Sequence, residues 1–276
     1  MLKPFLAIVA VALTLPALAQ KGEGPMENSP PKGHTPDEII KIVASKEREF
    51  QQARERYIYR QDTHVEEFDG HTVVGEYKII EEVTFDDRGR RQENVLLAPQ
   101  NTLTRVSMMK EDEDDFRNIF SFVITPEELP VYDVKYLGHQ QVDELGTYVF
   151  EIDPVRPEKH RRYFKGRIWV DDQDLLIVKS SGIGYPNSKE NQPVPFTTWR
   201  EQIDGKYWFP TYTSGQADIC AMDKHGTCMD SGTPIQVKVK YTDYRQYKAT
   251  TKVTFGDVVD DQPNQQQQQP PPKNPK

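Results

Sequence analysis

The sequence predicts a mainly β protein of the α+β class, with an antiparallel sheet of many long strands behind one amphipathic helix. Three observations support this prediction. Residues 147–181 have the apolar pattern of three successive strands, and tight-turn signals at Asp69-Gly70 and Asp204-Gly205 separate other strand-like runs. A capped helical pattern precedes all of these strands. A shorter helical turn is expected in the middle of the chain, at residues 125–129.

The first 19 residues have the pattern of a signal peptide. A basic start at Lys3 precedes an apolar run over residues 5–15, and Ala17-Leu18-Ala19 is a cleavage pattern, so we expect cleavage after Ala19. A retained anchor helix is the alternative, which Pro16 and the alanines disfavour. No later stretch has the roughly 20 apolar residues of a membrane helix. We therefore expect an exported, soluble mature protein.

The helix is expected to follow a flexible leader over residues 20–34, which is rich in Gly, Pro and polar residues. Thr35 is the predicted N-cap, Pro36 takes the first helical position and Glu38 completes a capping box. The helical spacing continues to about Glu55. The apolar face of this helix consists of Ile39, Ile40, Val43, Phe50 and Ala53.

The strands after the helix begin with a hairpin around Asp69-Gly70, between residues 57–68 and 71–85. Gly75 interrupts the alternation of the second strand, which is typical of a bend or bulge that lets a sheet curl. A turn at residues 86–89 returns the chain along a third strand. The sequence therefore predicts a curved sheet.

The strands within residues 147–181 have a strongly apolar face. With a turn at Asp172-Gln173, Val170 is expected to oppose Leu175, and Ile168 to oppose Ile177. Such a face needs a cover or a ligand. We assign to it Phe150, Ile152, Ile168, Val170, Leu175 and Ile177.

The hairpin at Asp204-Gly205 has mixed faces. A two-residue turn would place Ile203 opposite Lys206 and Glu201 opposite Trp208, with Trp199 on the same face as Trp208. The other face carries Arg200 and Phe209. Either face could point inward, because each mixes aromatic and polar groups.

One folded domain, residues 35–257, is expected, followed by a disordered Gln/Pro-rich tail over residues 258–276. The chain has 35 Lys and Arg against 43 Asp and Glu, a net charge of −8. This acidic balance disfavours nucleic acid as a partner.

The two cysteines, Cys220 and Cys228, are close in sequence, and we expect a disulfide between them in an exported protein. A metal site using both cysteines and His225 is the alternative. His64 and His71 flank the first hairpin, near Glu66; we interpret them as surface imidazoles rather than metal ligands. No cofactor is expected.

Two segments carry a resemblance to a known family. They are YVFEIDPVRPEKHRRYFKGRIWVDDQDLLIVK, within residues 148–179, and WREQIDGKYWFPTY, residues 199–212. With the signal peptide and the amphipathic helix before them, they make the chain similar to the LolA-like family of outer-membrane lipoprotein-sorting proteins. The resemblance implies a half-open β-barrel, covered on its hydrophobic side by helices, that binds acyl chains of lipoproteins or lipids in the periplasm. It implies no catalytic residues.

The resemblance predicts a periplasmic binding protein whose cavity is lined by the apolar residues assigned above, from Ile39, Val43 and Phe50 of the helix to the strand residues, together with Trp199 and Trp208. The helix would be a marginally held, movable lid. The basic residues Lys159, Arg161 and Arg162 could contact a lipid headgroup or an envelope protein partner.

The sequence leaves two other classes of function to consider as alternatives, a sensor and an enzyme. A regulatory sensor could use the same cavity to detect a lipid signal. A hydrolase is disfavoured, because the sequence has neither a G-x-S-x-G elbow nor an H-E-x-x-H helix.

Overall fold

The structure is a computed structural model that describes residues 22–187, 192–223, 225 and 227–247. The predicted signal peptide and C-terminal tail lie outside the described residues. The helical elements are α1 (Pro36–Arg54), α2 (Lys110–Asp114), a π-helix (Asp115–Ile119) and a 3₁₀ turn (Leu129–Val131). The strands are β1 (Tyr57–Asp69), β2 (Thr72–Phe85), β3 (Arg91–Asn101), β4 (Tyr132–Val142), β5 (Leu145–Pro154), β6 (Tyr163–Asp171), β7 (Ile177–Tyr185), β8 (Phe196–Ile203), β9 (Tyr207–Ile219) and β10 (Thr233–Gln246).

The ten strands form one antiparallel sheet in the order β3-β2-β1-β10-β9-β8-β7-β6-β5-β4. The pairing of β1 with β10 joins the first and last strands, where Val65 lies opposite Val237. The sheet curves without closing, and β3 and β4 are its two edges. The predicted mainly β fold, a half-open β-barrel with few helices, is confirmed.

Helix α1 begins as the sequence predicts. The Thr35 hydroxyl accepts a hydrogen bond from the Glu38 backbone N–H (3.3 Å), and the Glu38 carboxylate accepts one from the Thr35 N–H (2.8 Å). On the buried face of the helix, Ile39 and Val43 pack into the core formed by the sheet. Helix α1 therefore covers part of the concave face.

The first hairpin is present, and its second strand carries the predicted irregularity. Glu67 pairs with Gly75 but Phe68 pairs with Val73, so Val74 is the extra residue of a bulge. A Cβ at Gly75 would lie 2.8 Å from the Thr102 carbonyl oxygen, which explains why glycine is required here.

The predicted register of the β6–β7 hairpin is wrong. Val170 pairs with Ile177, not with Leu175. The turn is longer than two residues: the Leu175 N–H donates to the Asp171 carbonyl (3.0 Å), and Leu175 has a φ of 49°. Ile168 consequently pairs with Ser180.

The predicted register of the β8–β9 hairpin is also wrong. Ile203 pairs with Tyr207 and Glu201 with Phe209, because the loop has three residues rather than two. Asp204 and Gly205 both have a positive φ, 59° and 68°. A two-residue type I′ turn would have the same signs of φ; the difference is Lys206, which is also left out of the pairing and so shifts every partner on β9.

The two sheet edges differ. Along β4, the Gly24 N–H donates to the Gln141 carbonyl (2.8 Å), and Glu27 exchanges two backbone hydrogen bonds with His139 (2.8 Å each). Gly138 permits this contact, because a Cβ there would lie 2.4 Å from the Glu27 carbonyl oxygen. The described part of the leader thus covers the β4 edge.

At the opposite edge, no described segment pairs with the outer side of β3. Two apolar side chains of β3 are exposed to solvent: Val95 is 49% exposed and Leu96 is 53% exposed.

Candidate functional site

A cavity of about 320 Å³ lies on the concave face, between strands β1, β9 and β10 and the chain segment 103–120. The wall of the cavity is apolar and includes Val65, Ile235 and Val237. Residues 103–120 cover it with Met108, Phe116 and Phe120. The rim carries Arg105, Asp112, Asp115 and Gln192. An apolar hollow with a few polar groups at its rim is typical of a binding site for a small apolar ligand.

One end of the covering segment is held by Glu67, a buried residue of β1. Its carboxylate accepts hydrogen bonds from the backbone N–H groups of Thr104 and Arg105 (3.0 Å each) and from the Thr104 hydroxyl (3.0 Å). Burial opposes ionisation of Glu67, but the N–H groups of Arg105 and Thr104 outweigh it and lower the pKa of this carboxyl. Glu67 is therefore an ionised anchor for the start of the segment.

The other end of the segment is held by an ion pair. Arg162 donates to both carboxylate oxygens of Asp115, at 2.9 and 2.7 Å, and also to the Pro186 carbonyl. Burial raises the pKa of Asp115 to about 6, although Arg162 acts in the opposite direction. A Cβ at Gly184 would lie 2.0 Å from the Asp115 carboxylate, so glycine makes room for this pair.

Helix α1 covers the other half of the concave face and is held by a buried ion pair. The Arg200 guanidinium donates to both Glu47 oxygens, at 2.8 and 3.2 Å, and to the Phe122 carbonyl. The side chains of Glu47 and Arg200 are only 1% and 2% exposed. Near the end of the helix, Phe50 packs edge-on against Phe209, at 5.2 Å between ring centroids. These contacts differ from the marginal attachment that we expected for α1.

Most residues predicted to line the cavity belong to α1 or to the core that α1 covers. None of them lines the 320 Å³ cavity, although they share its concave face. Phe50 lies in a cluster with Tyr57 and Phe209. The others belong to the main core: Ile39, Val43, Phe150, Ile152, Ile168, Val170, Leu175 and Ile177.

The two tryptophans predicted to line the cavity lie elsewhere. Trp199 is 36% exposed and stacks on Tyr212, at 5.8 Å between centroids. Trp208 packs in a separate cluster with Trp169. Of the two faces of this hairpin, the one with Arg200 and Phe209 points inward, since these residues are buried, and the face with the two tryptophans points away from the cavity.

Residues that line the cavity were not identified from the sequence, because they come from distant parts of the chain. Val65 and Val237 meet only through the β1–β10 pairing. The alternation of Ile235, Val237 and Val239 in β10 was visible as a strand pattern. This alternation does not reveal that β1 is the strand that pairs with β10, so the cavity could not be predicted from it.

The basic residues of the β5–β6 connection are mostly engaged within the protein. Arg161 pairs with Glu128 and lies over the Tyr163 ring (4.9 Å). Arg162 holds Asp115, as described above, while Lys159 is exposed. Arg161 and Arg162 line a second, polar pocket of about 260 Å³.

The predicted disulfide between Cys220 and Cys228 is confirmed, with a Cα–Cα distance of 5.5 Å. The alternative metal site with His225 is wrong, because both thiols are consumed by the bond. In β1, His64 hydrogen-bonds Glu76 at 2.8 Å. No group of three or more metal-ligating side chains occurs among the described residues.

Over the described ranges, the structure contains no helix with the length and apolar character needed to cross a membrane.

Comparison with known proteins finds structural likeness without sequence matches. No family model and no curated protein matches the chain. Solved structures that resemble it include a DUF1329 family protein from Desulfovibrio piger, 14% identical, with a TM-score of 0.41 over 81% of this chain and 96% of that one.

Two further structures belong to the group that the sequence resembles. A LolA superfamily protein from Nitrosomonas europaea is 13% identical, with a TM-score of 0.34 over 79% of this chain and 100% of that one. A putative outer membrane lipoprotein-sorting protein domain from Vibrio parahaemolyticus is 12% identical, with a TM-score of 0.35 over 75% and 93%.

Proposed function

We propose that this protein is an exported, periplasmic binding protein that holds an acyl chain of a lipoprotein or lipid. The 320 Å³ cavity carries this proposal, because its wall and its cover are both largely apolar. Export is supported by the signal-peptide pattern of residues 1–19 and by the Cys220–Cys228 disulfide, since disulfides persist in oxidising compartments. The role would be in outer-membrane lipoprotein sorting or lipid transport.

The physical chemistry of the cavity suits an acyl chain. Each CH₂ group removed from water contributes about 0.8 kcal/mol before the cost of ordering the chain. The volume is at the lower end of the range of about 300–1,000 Å³ for ligand pockets, which favours one chain rather than several. Met108 and Met109 are flexible, polarisable side chains that adapt to ligands of different shape.

The movable cover in this proposal is segment 103–120, not α1. Both ends of the segment are attached by polar contacts, through Glu67 at one end and Asp115 at the other. The helices between these ends, α2 and the π-helix, have five residues each. Short helices have little stability of their own, and no residue of the stretch 103–114 is buried, so opening that stretch disrupts less structure than releasing α1, while Phe116, Ile119 and Phe120 stay in the core.

A fluorescence titration with cis-parinaric acid, an 18-carbon fatty acid, tests the proposal. We expect saturable binding by the wild-type protein and a loss of binding in Val237→Trp, because the indole fills the cavity. Val74→Trp adds the same side chain to an exposed position of β2 and is the matched control.

Equal binding by all three proteins would contradict the proposal, since it would place the probe outside the cavity. Mass spectrometry of lipids extracted from protein purified from its native envelope would then identify the natural cargo or show that there is none.

A further inference from the structure

Arg54, in the last turn of α1, is a half-buried arginine that forms no close ion pair among the described residues; the Glu47 carboxylate, which pairs with Arg200, acts on it only over a longer distance. Its Nε is buried and has no hydrogen-bond acceptor, and Nη1 lies 3.5 Å from the Ser121 hydroxyl. The guanidinium otherwise contacts the rings of Phe50 and Phe85, at 5.8 and 5.6 Å. Among the described residues, no carboxylate lies within ion-pair distance of Arg54.

A buried cation without a partner is energetically unfavourable. Burial lowers the pKa of the Arg54 guanidinium, yet arginine keeps its proton at neutral pH. The charge therefore persists at the side of an open, polar pocket, where Nε is buried and the rest of the guanidinium is only partly shielded from water. A cation in this position can accept an anion from outside the described chain as its direct partner.

The pocket beside Arg54 is the second, polar pocket, of about 260 Å³. It lies between the end of α1 and residues 117–132, and three more arginines line it: Arg117, Arg161 and Arg162. Each of these has a carboxylate partner, namely Glu93, Glu128 and Asp115. Of the four arginines that line the pocket, Arg54 is the one whose positive charge is not matched by a carboxylate of its own. Hydroxyl groups of Ser121 and Thr125 add hydrogen-bond donors to the lining.

We propose that this pocket binds a phosphate group, with Arg54 as its principal contact. Arginine presents a planar fork of donors that matches phosphate oxygens, and the bound anion would supply both the missing charge and the missing acceptor. The phosphate comes either from free inorganic phosphate or from a lipid headgroup; the second source rests on the function proposed above. Arg162 lines this pocket and also holds Asp115 at the rim of the acyl cavity, so the two sites share one ion pair.

The first test compares thermal unfolding of the full-length protein in chloride buffer and in phosphate buffer at equal ionic strength. Wild type should be stabilised by inorganic phosphate, because the anion binds the folded state. Arg54→Met should lose this stabilisation and should be at least as stable as wild type in chloride, because it removes an unpaired buried charge. Arg88→Met, an exposed residue on the β2–β3 turn, controls for the change in net charge.

The second test measures affinity by calorimetry. Inorganic phosphate should bind Arg54→Met at least about tenfold more weakly than wild type, and Arg54→Lys should keep part of the affinity because the charge remains. Dihexanoyl phosphatidic acid is the second probe. Tighter binding of this lipid than of inorganic phosphate identifies a headgroup site, and equal binding identifies a free-phosphate site.

Two results would overturn the proposal. In one, Arg54→Met and Arg88→Met weaken phosphate binding equally, which shows nonspecific attraction. In the other, Arg54→Met is destabilised by the same amount in both buffers, which shows that Arg54 only packs. Binding of cis-parinaric acid that persists in Arg54→Met would leave the acyl-binding function standing even if the phosphate site failed.

Discussion

The two halves of the concave face are covered in different ways. In one half, the 19-residue helix α1 fills the curve of the sheet with apolar side chains and is fixed by the buried Glu47–Arg200 pair. In the other half, segment 103–120, which contains two helices of five residues each, lies over the sheet and leaves a cavity of about 320 Å³ beneath it. The strand surface is apolar in both halves. The cover, rather than the sheet, decides whether this surface becomes core or cavity.

The largest expected effect breaks the attachment of α1. Glu47→Gln leaves the Arg200 guanidinium buried without a counterion, and we expect it to lower the free energy of unfolding by about 3–5 kcal/mol. Chemical denaturation would measure this loss.

Two matched variants sharpen that measurement. Glu127→Gln breaks the exposed pair of α1 residue Arg48 and should cost less than about 1 kcal/mol. The double variant Glu47→Leu with Arg200→Met removes both charges and should recover most of the stability. If Glu47→Gln costs no more than Glu127→Gln, α1 is not anchored as described.

A second effect concerns the attachment of segment 103–120. The pKa of Asp115, about 6 in the folded protein, lies above its unfolded value of about 3.9. The folded state then binds more protons between these values, so the contribution of Asp115 to stability falls as pH rises from about 4 to 6, by up to about 3 kcal/mol. Asp115→Asn should remove this fall in denaturation curves recorded across the range.

The control is Asp153→Asn, which removes an exposed carboxylate paired with Lys165. Its pH dependence should match that of wild type. The same slope in Asp115→Asn as in wild type would show that another group titrates.

The smallest effect compares two valines of the concave face. Val43→Phe enlarges a side chain in the filled half and should cost about 1–3 kcal/mol through overpacking. Val237→Phe enlarges one that lines the hollow and should change stability by less than about 1 kcal/mol. Equal losses in thermal unfolding would mean that the two halves are packed alike.

Local chemistry made several elements predictable. The capping residues Thr35 and Glu38 defined the start of α1, and the spacing of Cys220 and Cys228 defined the disulfide. These features depend on residues within one turn or one short loop of each other. The positions of the hairpins were predictable for the same reason.

Register and long-range pairing were less predictable. The positive φ of Leu175 belongs to a turn longer than two residues, and nothing in the residue type marks that conformation as glycine would. After Asp204-Gly205 the loop is longer because Lys206 is also left out of the pairing, and the Asp-Gly signal does not reveal this extra residue. The β1–β10 pairing joins residues 168 to 189 positions apart, and it places Val65 beside Val237. The sequence therefore predicts the cavity beneath α1, where strands with the same apolar alternation are instead packed against the helix.

The leader on β4 has a consequence for how copies of this chain can meet. Pairing through exposed strand edges propagates into fibres only when each molecule offers two of them. Within residues 22–247 as described, β4 is occupied by the leader and β3 alone is bare. Edge-to-edge pairing through β3 would therefore stop at a symmetric dimer. The merged sheet would have twenty strands, and both of its outer edges would be β4 strands already covered by a leader.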